Sequence, residues 1–314
     1  MTHPRPFRFA VMVPDAPSGA AFRDLARKAE ALGYSTLFVP DHFVDHELAP
    51  IPALAAAATV TSELRIGPLV LGNDYKHPVV LAREIATLDL LSEGRVELGI
   101  GAGWMTADYE RSGIALDPPG VRVERLAESI AVLRGLFADE PLTFEGAHYR
   151  IDALDGRPKP VQRPHPPLLV GGGASRILAL AARQAQIVGI NANLRSGDGT
   201  SSDAARSLAP AATDEKVRWV REAAGDRFDA LELQTLVGFV HVTDDAGAIG
   251  EGIAGAFGVA PSDALHAPVV LVGTEDEMVD ELEWRRNRWQ ISYHVVGADV
   301  IDAFAPVVAR LAGR

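Results

Sequence analysis

Short apolar runs alternate with amphipathic stretches along the whole chain. The runs lie at residues 7–13, 35–39, 64–71, 96–100, 168–170, 187–191, 231–240 and 291–296. They are aliphatic or β-branched and too short for helices, so they read as strands buried on both faces. Between them the period changes to that of a helix. Phe22, Leu25, Ala26, Ala29 and Leu32 share one helical face that stops at Gly33, a favourable residue just past a helix end. Residues 51–60, 78–91, 121–137, 177–184, 214–224, 245–257, 275–287 and 299–311 predict further helices. The helix at 78–91 has Pro78 in its first turn and Gly94 beyond its end. The helix at 121–137 buries Leu126, Ile130, Leu133, Leu136 and Phe137.

Eight strands, each followed by helix, imply parallel pairing with helical crossovers. The expected fold is α/β, a (β/α)8 TIM barrel with insertions, formed as one domain over residues 1–314. A doubly wound open sheet is the competing arrangement. The proline-rich segment 139–167 holds a small hairpin, Phe144-Glu145-Gly146 with Tyr149-Arg150-Ile151. The polar stretch 195–205 reads as a mobile loop that could act as a lid.

Composition narrows the function. The chain has 314 residues, 47% hydrophobic and 23% charged, enough for a large core. Its net charge of −12 comes with 30 scattered Lys and Arg, which argues against nucleic acid. The absence of cysteine excludes disulfides, thiolate chemistry and Cys-type metal sites. The first residues lack the apolar core of a signal peptide, and no apolar stretch is long enough to span a bilayer. A cytoplasmic, soluble protein acting on a small molecule is expected.

In a barrel, ligands meet the C-terminal strand ends. Five ends carry the special residues: Pro40-Asp41-His42-Phe43, Gly72-Asn73-Asp74-Tyr75-Lys76-His77, Gly101-Ala102-Gly103-Trp104-Met105, Gly171-Gly172-Gly173 and Asn191-Ala192-Asn193. The triple glycine, with Ala174, Ser175 and Arg176, links a strand to a helix. Free N–H groups and the helix dipole there suit a phosphate; the plainer reading is a tight turn. No metal set is visible. His42 and His46 are four apart but not on a helix, and His46 reads as a hydrated surface residue. Gly99-Ile100-Gly101-Ala102-Gly103 fails as a dinucleotide fingerprint because no helix begins there.

These residues carry a resemblance. Phe38-Val39-Pro40-Asp41-His42-Phe43, Leu88-Asp89-Leu90-Leu91-Ser92-Glu93-Gly94-Arg95, Leu98-Gly99-Ile100-Gly101-Ala102-Gly103-Trp104 and Val170-Gly171-Gly172-Gly173 resemble the luciferase-like monooxygenase superfamily, and most the actinobacterial coenzyme F420-dependent oxidoreductases. The resemblance implies a luciferase-like barrel with a deazaflavin or flavin ring at its mouth. It places His42, Asp41 and Trp104 in catalysis. It gives Leu69, Gly72, Asn73, Asp74, Gly101, Gly103, Gly171, Gly172, Gly173, Ala174, Ser175, Arg176 and Asn191 to the cofactor. It also implies a non-prolyl cis peptide in the stretch 69–73. Trp104 stands where the F420-dependent glucose-6-phosphate dehydrogenases carry a glutamate, which implies a more apolar or aromatic substrate.

The implied reaction is hydride transfer between the deazaflavin C5 and a small organic substrate. The alternative is an FMN-dependent monooxygenase using reduced flavin and O₂. A non-catalytic relative is a third reading, opposed by the intact triple glycine. The resemblance also implies a homodimer.

Overall fold

The computed structural model describes residues 5–197, 199 and 201–314. All eight expected strands form: Arg8–Met12, Thr36–Val39, Arg65–Pro68, Leu98–Gly101, Leu168–Gly172, Ile187–Ile190, Glu232–Val237 and Ile291–Gly297. By internal contacts the chain divides into two compact units.

The first unit comprises residues 1–12, 28–36 and 171–314. Its strand Ile291–Gly297 pairs in parallel with Arg8–Met12 on one side and Glu232–Val237 on the other. Glu232–Val237 pairs in parallel with Ile187–Ile190. The strands are buried almost throughout, which explains their largely apolar sequences; Glu232, Gln234, Thr235, Ser292 and His294 are the buried polar residues among them. Helices Ser175–Gln184 and Pro210–Ala224 pack on each other. Glu275–Trp289 starts in a capping box in which Thr274 and Glu277 each satisfy the other's backbone N–H.

The second unit comprises residues 13–27 and 37–170. Here Leu71–Gly72 pairs with Leu98–Gly101, which pairs with the start of Leu168–Gly172, all in parallel. Helix Pro50–Ala58 packs on the strand Arg65–Pro68, and helix Pro78–Leu91 packs on both Pro50–Ala58 and Pro119–Phe137. Two polar residues of the Leu-Asp-x-Leu-Ser-x-Gly-Arg block hold this packing together. Asp89, fully buried, accepts from Gln162 N at 2.9 Å and Gln162 Nε2 at 2.7 Å. Arg95 donates to the carbonyls of Ala58 and Leu64 at 2.8 and 2.9 Å. The block is thus a structural clasp.

Four elements differ from the expectation. The run 64–71 divides into two strands, Arg65–Pro68 and Leu71–Gly72, while the cis peptide between them, Leu69–Val70, falls in the stretch 69–73 where the resemblance implied one. The run 231–240 ends at Val237; Phe239–Val242 then forms its own parallel pair with Val270–Gly273, a strand the pattern did not predict. Gly238 separates the two, and a run of apolar residues hides such a break. A helix at Thr106–Ser112 was not predicted either, because its seven residues are mostly polar and too few to show an apolar periodicity. Within the expected lid 195–205, residues 202–206 are helical, and residues 198 and 200 lie outside the described residues.

Candidate active site

The second unit gathers the chemistry-bearing side chains. His42 follows the strand Thr36–Val39, and Asp108 sits in the first turn of Thr106–Ser112. His42 Nδ1 lies 2.6 Å from Asp108 Oδ2. Asp108 is fully buried and also accepts from Phe43 N at 2.9 Å, Val44 N at 3.0 Å and the Tyr75 hydroxyl at 3.2 Å. Burial alone would raise the Asp108 carboxyl, but the His42 bond and the Phe43 and Val44 N–H groups hold it below the usual carboxylate range. Burial first, and then the Asp108 charge, push the Tyr75 phenol up, so it remains a donor. With Asp108 an anion that can only accept, the Nδ1–H of His42 donates to it. In the neutral imidazole with that tautomer, Nε2 is the nitrogen that carries the lone pair.

Two rings confine the imidazole. Trp104 stands edge-on at 5.5 Å between centroids and 77° between planes. The His46 ring lies at 5.3 Å, half-buried, with a buried Nδ1 that has no partner. Burial, and then the nearby His42, lower its pKa. His46 is therefore part of this cluster rather than a hydrated surface residue. Asp41 accepts from Gly72 N at 3.0 Å, and burial is the main cause that raises its pKa.

Behind these groups lies a fixed scaffold. Asp74 Oδ1 accepts from Arg125 at 2.7 Å and Asp74 Oδ2 from the Tyr109 hydroxyl at 3.0 Å. Arg125 also binds Asp117. Arg122 donates to the carbonyls of Ala102 and Gly103 and, at 2.8 Å, to Asp117 O. Gly103 has φ +74°, and a Cβ there would strike the Tyr109 hydroxyl, so glycine is needed on both counts. A Cβ on Gly101 would lie 2.8 Å from Val70 Cγ2. Leu69 is half-buried at the cis peptide. Asn73 is 2% exposed, and its Oδ1 has no hydrogen-bond partner.

The first unit holds the glycine turn. Gly171 and Gly172 close their strand, Gly173 is buried, and Ala174, Ser175 and Arg176 are exposed at the start of Ser175–Gln184. No side chain caps that helix, which leaves its first N–H groups open to an anion. A Cβ on Gly173 would fall on Ala192 O. Asn191 N donates to Gly172 O at 3.0 Å. Lys216, 2% exposed, ties both ends of the following segment by donating to Asn191 O at 2.7 Å and Ser207 O at 2.5 Å. Burial lowers its pKa to about 8.

Of the sequence candidates, Asp41, His42, Trp104, Leu69, Gly72, Asn73, Asp74, Gly101 and Gly103 lie in the second unit, the rest in the first. Asp74 is committed to Arg125 and Tyr109. Asp108 escaped the sequence reading: an acidic residue in a first helical turn reads as a partner of the helix dipole. No group of three or more His, Asp or Glu among the described residues could hold a metal ion.

The profile of the luciferase-like monooxygenase family matches residues 5–245, and the chain belongs to that family. Among its relatives is an F420-dependent glucose-6-phosphate dehydrogenase of Nakamurella multipartita, 31% identical over 242 residues, covering 74% of this chain and 67% of that protein. Another is an FMNH2-dependent dimethylsulfone monooxygenase of Pseudomonas putida, 25% identical over 226 residues, covering 66% of this chain and 62% of that protein. The chain spans 60–62% of the length of several curated relatives it matches. The solved coenzyme F420-dependent tetrahydromethanopterin reductase of Methanopyrus kandleri superposes with a TM-score of 0.77 over 98% of this chain and 99% of that one, at 19% identity. That likeness is one of fold, and it establishes the luciferase-like TIM barrel expected from the eight strands. The family thus has both F420-dependent and FMN-dependent members among the relatives of this chain.

Proposed function

We propose that this protein is an F420-dependent oxidoreductase that moves a hydride between the deazaflavin C5 and a small organic substrate, with His42 exchanging the substrate's proton. The observation that carries this reading is the His42–Asp108 pair at 2.6 Å. Oxidising an alcohol to a carbonyl removes a hydride from carbon and a proton from oxygen. The proton needs an acceptor within reach of the hydroxyl. Asp108 holds His42 in the tautomer whose Nε2 accepts that proton, and it stabilises the imidazolium that results. In the reverse direction the same imidazolium donates.

The residues present fit a cofactor of this kind. Asn73 Oδ1 is a buried acceptor without a donor, suited to a cofactor hydroxyl. The turn Gly171, Gly172, Gly173, Ala174 and Ser175 offers uncapped N–H groups to a phosphate. Arg176 adds positive charge, and Leu69, Gly72, Gly101, Gly103 and Asn191 are the further candidates for contact. When bound, the deazaflavin supplies obligate two-electron hydride chemistry. Asp41 and Tyr75 hold the surrounding loop through Gly72 and Asp108. Trp104 offers an aromatic wall, which suits an apolar or aromatic substrate. The FMN-dependent relative supports a second reading, oxygenation with reduced FMN.

Titrating the purified protein with F420 and with FMN, and following tryptophan fluorescence, separates these readings. The proposal expects tight F420 and weak FMN binding, with F420 reduced by a small alcohol. Preference for FMN, with oxygenation and no F420 reduction, would refute it.

A further inference from the structure

Among the fully buried polar side chains of the first unit without a hydrogen-bond partner, Gln234 is the one that carries an amide. Gln234 is 1% exposed, and neither its Oε1 nor its Nε2 is hydrogen-bonded. Its neighbours on the same strand face are satisfied. Glu232 accepts from Arg8 at 2.7 Å, and the Tyr293 hydroxyl donates to Thr36 at 2.7 Å. Gln234 pairs in register with Gly189 on the adjoining strand. A Cβ on Gly189 would lie 2.9 Å from Gln234 Oε1, 3.0 Å from Gly171 Cα and 3.5 Å from Asn191 Nδ2. A Cβ on Gly171 would lie 2.8 Å from Asn191 Nδ2. Two successive strands thus present glycine beside the amides of Gln234 and Asn191.

A buried amide with both ends unmet is costly, and native proteins keep few of them. Leucine or methionine would fill the same volume without that cost. A primary amide offers one acceptor and one donor side by side. Its complement is a group with an N–H next to a C=O on one edge. The imide edge of a pyrimidinedione ring has that pattern: the ring N–H donates to Oε1, and the adjacent carbonyl accepts from Nε2. F420 and FMN share this edge.

We propose that Gln234 is a cofactor-binding residue that reads the imide edge of the cofactor's pyrimidinedione ring. This rests on the cofactor reading above. Gly189 and Gly171 keep its amide clear of side chains, and the nearby amide of Asn191 shares the polar surface.

The test compares wild type with Gln234→Met and Gln234→Glu. Three quantities are measured: thermal unfolding without cofactor, affinity for F420 and FMN, and affinity for an N3-methylated analogue of whichever cofactor binds. A ligand-reading amide predicts that Gln234→Met unfolds without cofactor at the same temperature as wild type or higher. It also predicts cofactor binding at least about tenfold weaker. Methylation at N3 weakens binding to wild type and has little further effect in the methionine variant. Gln234→Glu, which keeps the acceptor, falls between the two. Wild type indifferent to N3 methylation would overturn the proposal, whatever the variants do. So would a methionine variant that loses stability while its cofactor affinity stays unchanged; the amide would then serve the fold through an ordered water. Both results leave the cofactor reading standing. Wild type that binds neither cofactor overturns both.

Discussion

Replacing Asp108 by asparagine changes one oxygen to an NH2 group and leaves the shape intact. Asp108 takes four donors: His42 Nδ1, Phe43 N, Val44 N and the Tyr75 hydroxyl. The amide oxygen can keep the two backbone N–H groups, which both bind Oδ1. The NH2 group then faces His42 and Tyr75, where Oδ2 had accepted from both. Two donors cannot pair, so the imidazole moves its proton to Nε2 and accepts at Nδ1. In that tautomer no lone pair faces the substrate, and general-base help, about 10²- to 10⁴-fold in rate, is lost. That corresponds to about 3–5 kcal/mol of transition-state stabilisation at 1.36 kcal/mol per decade. The lost charge-assisted bond also costs about 1–3 kcal/mol of stability. The wild-type carboxylate's contribution is complete above the usual carboxylate range and disappears as pH falls through its lowered pKa. The assay is steady-state F420 reduction by an alcohol, with cofactor affinity measured separately. The account expects Asp108→Asn to lose kcat while cofactor Kd stays within about threefold. A variant that keeps full kcat, or whose loss is explained by weaker cofactor binding, would refute the orienting role.

Two further predictions concern the first unit. Gly173→Ala places a Cβ on Ala192 O, a backbone atom that cannot swing away. The variant should lose about 1–3 kcal/mol of stability by denaturant unfolding and bind the cofactor more weakly; unchanged stability would show that the turn is looser than the structure indicates. His294 is fully buried between Phe7 and Phe9, and burial, with a smaller contribution from Arg285, lowers its pKa to about 3. It is neutral in the fold, while in the unfolded chain it takes a proton near 6.5. Its contribution is complete above pH 6.5 and is lost at up to about 1.4 kcal/mol per pH unit as pH falls toward 3. His294→Phe should therefore flatten the loss of stability between pH 7 and 4.5; parallel curves would show that other groups set it.

The barrel was legible because strands buried on both faces are largely apolar, and eight such runs leave few alternatives. The glycine turn and the neighbouring Asp41, His42 and Trp104 could be picked out because all of them lie just past strand ends, where a barrel gathers its polar and small residues. What escaped depended on contacts distant in sequence. Asp108 lies 66 residues from His42, and nothing local distinguishes it from an ordinary first-turn acid. The hold of Arg125 on Asp74, 51 residues apart, is likewise a contact that no local pattern shows. Gln234 sat inside an apolar run, and only burial without a partner singles it out. The strand Val270–Gly273 was missed because it is short and pairs with another short strand outside the main run of strands.

The central claim is most directly tested by anaerobic rapid mixing of the F420-loaded protein with an alcohol, in wild type and in His42→Ala, following the deazaflavin absorbance. The account predicts fast bleaching in wild type, with loss of about 10²-fold or more in rate in the variant. Cofactor affinity should be nearly the same in both. Equal bleaching rates in the two proteins, or no bleaching with any alcohol while reduced FMN and O₂ support turnover, would contradict it.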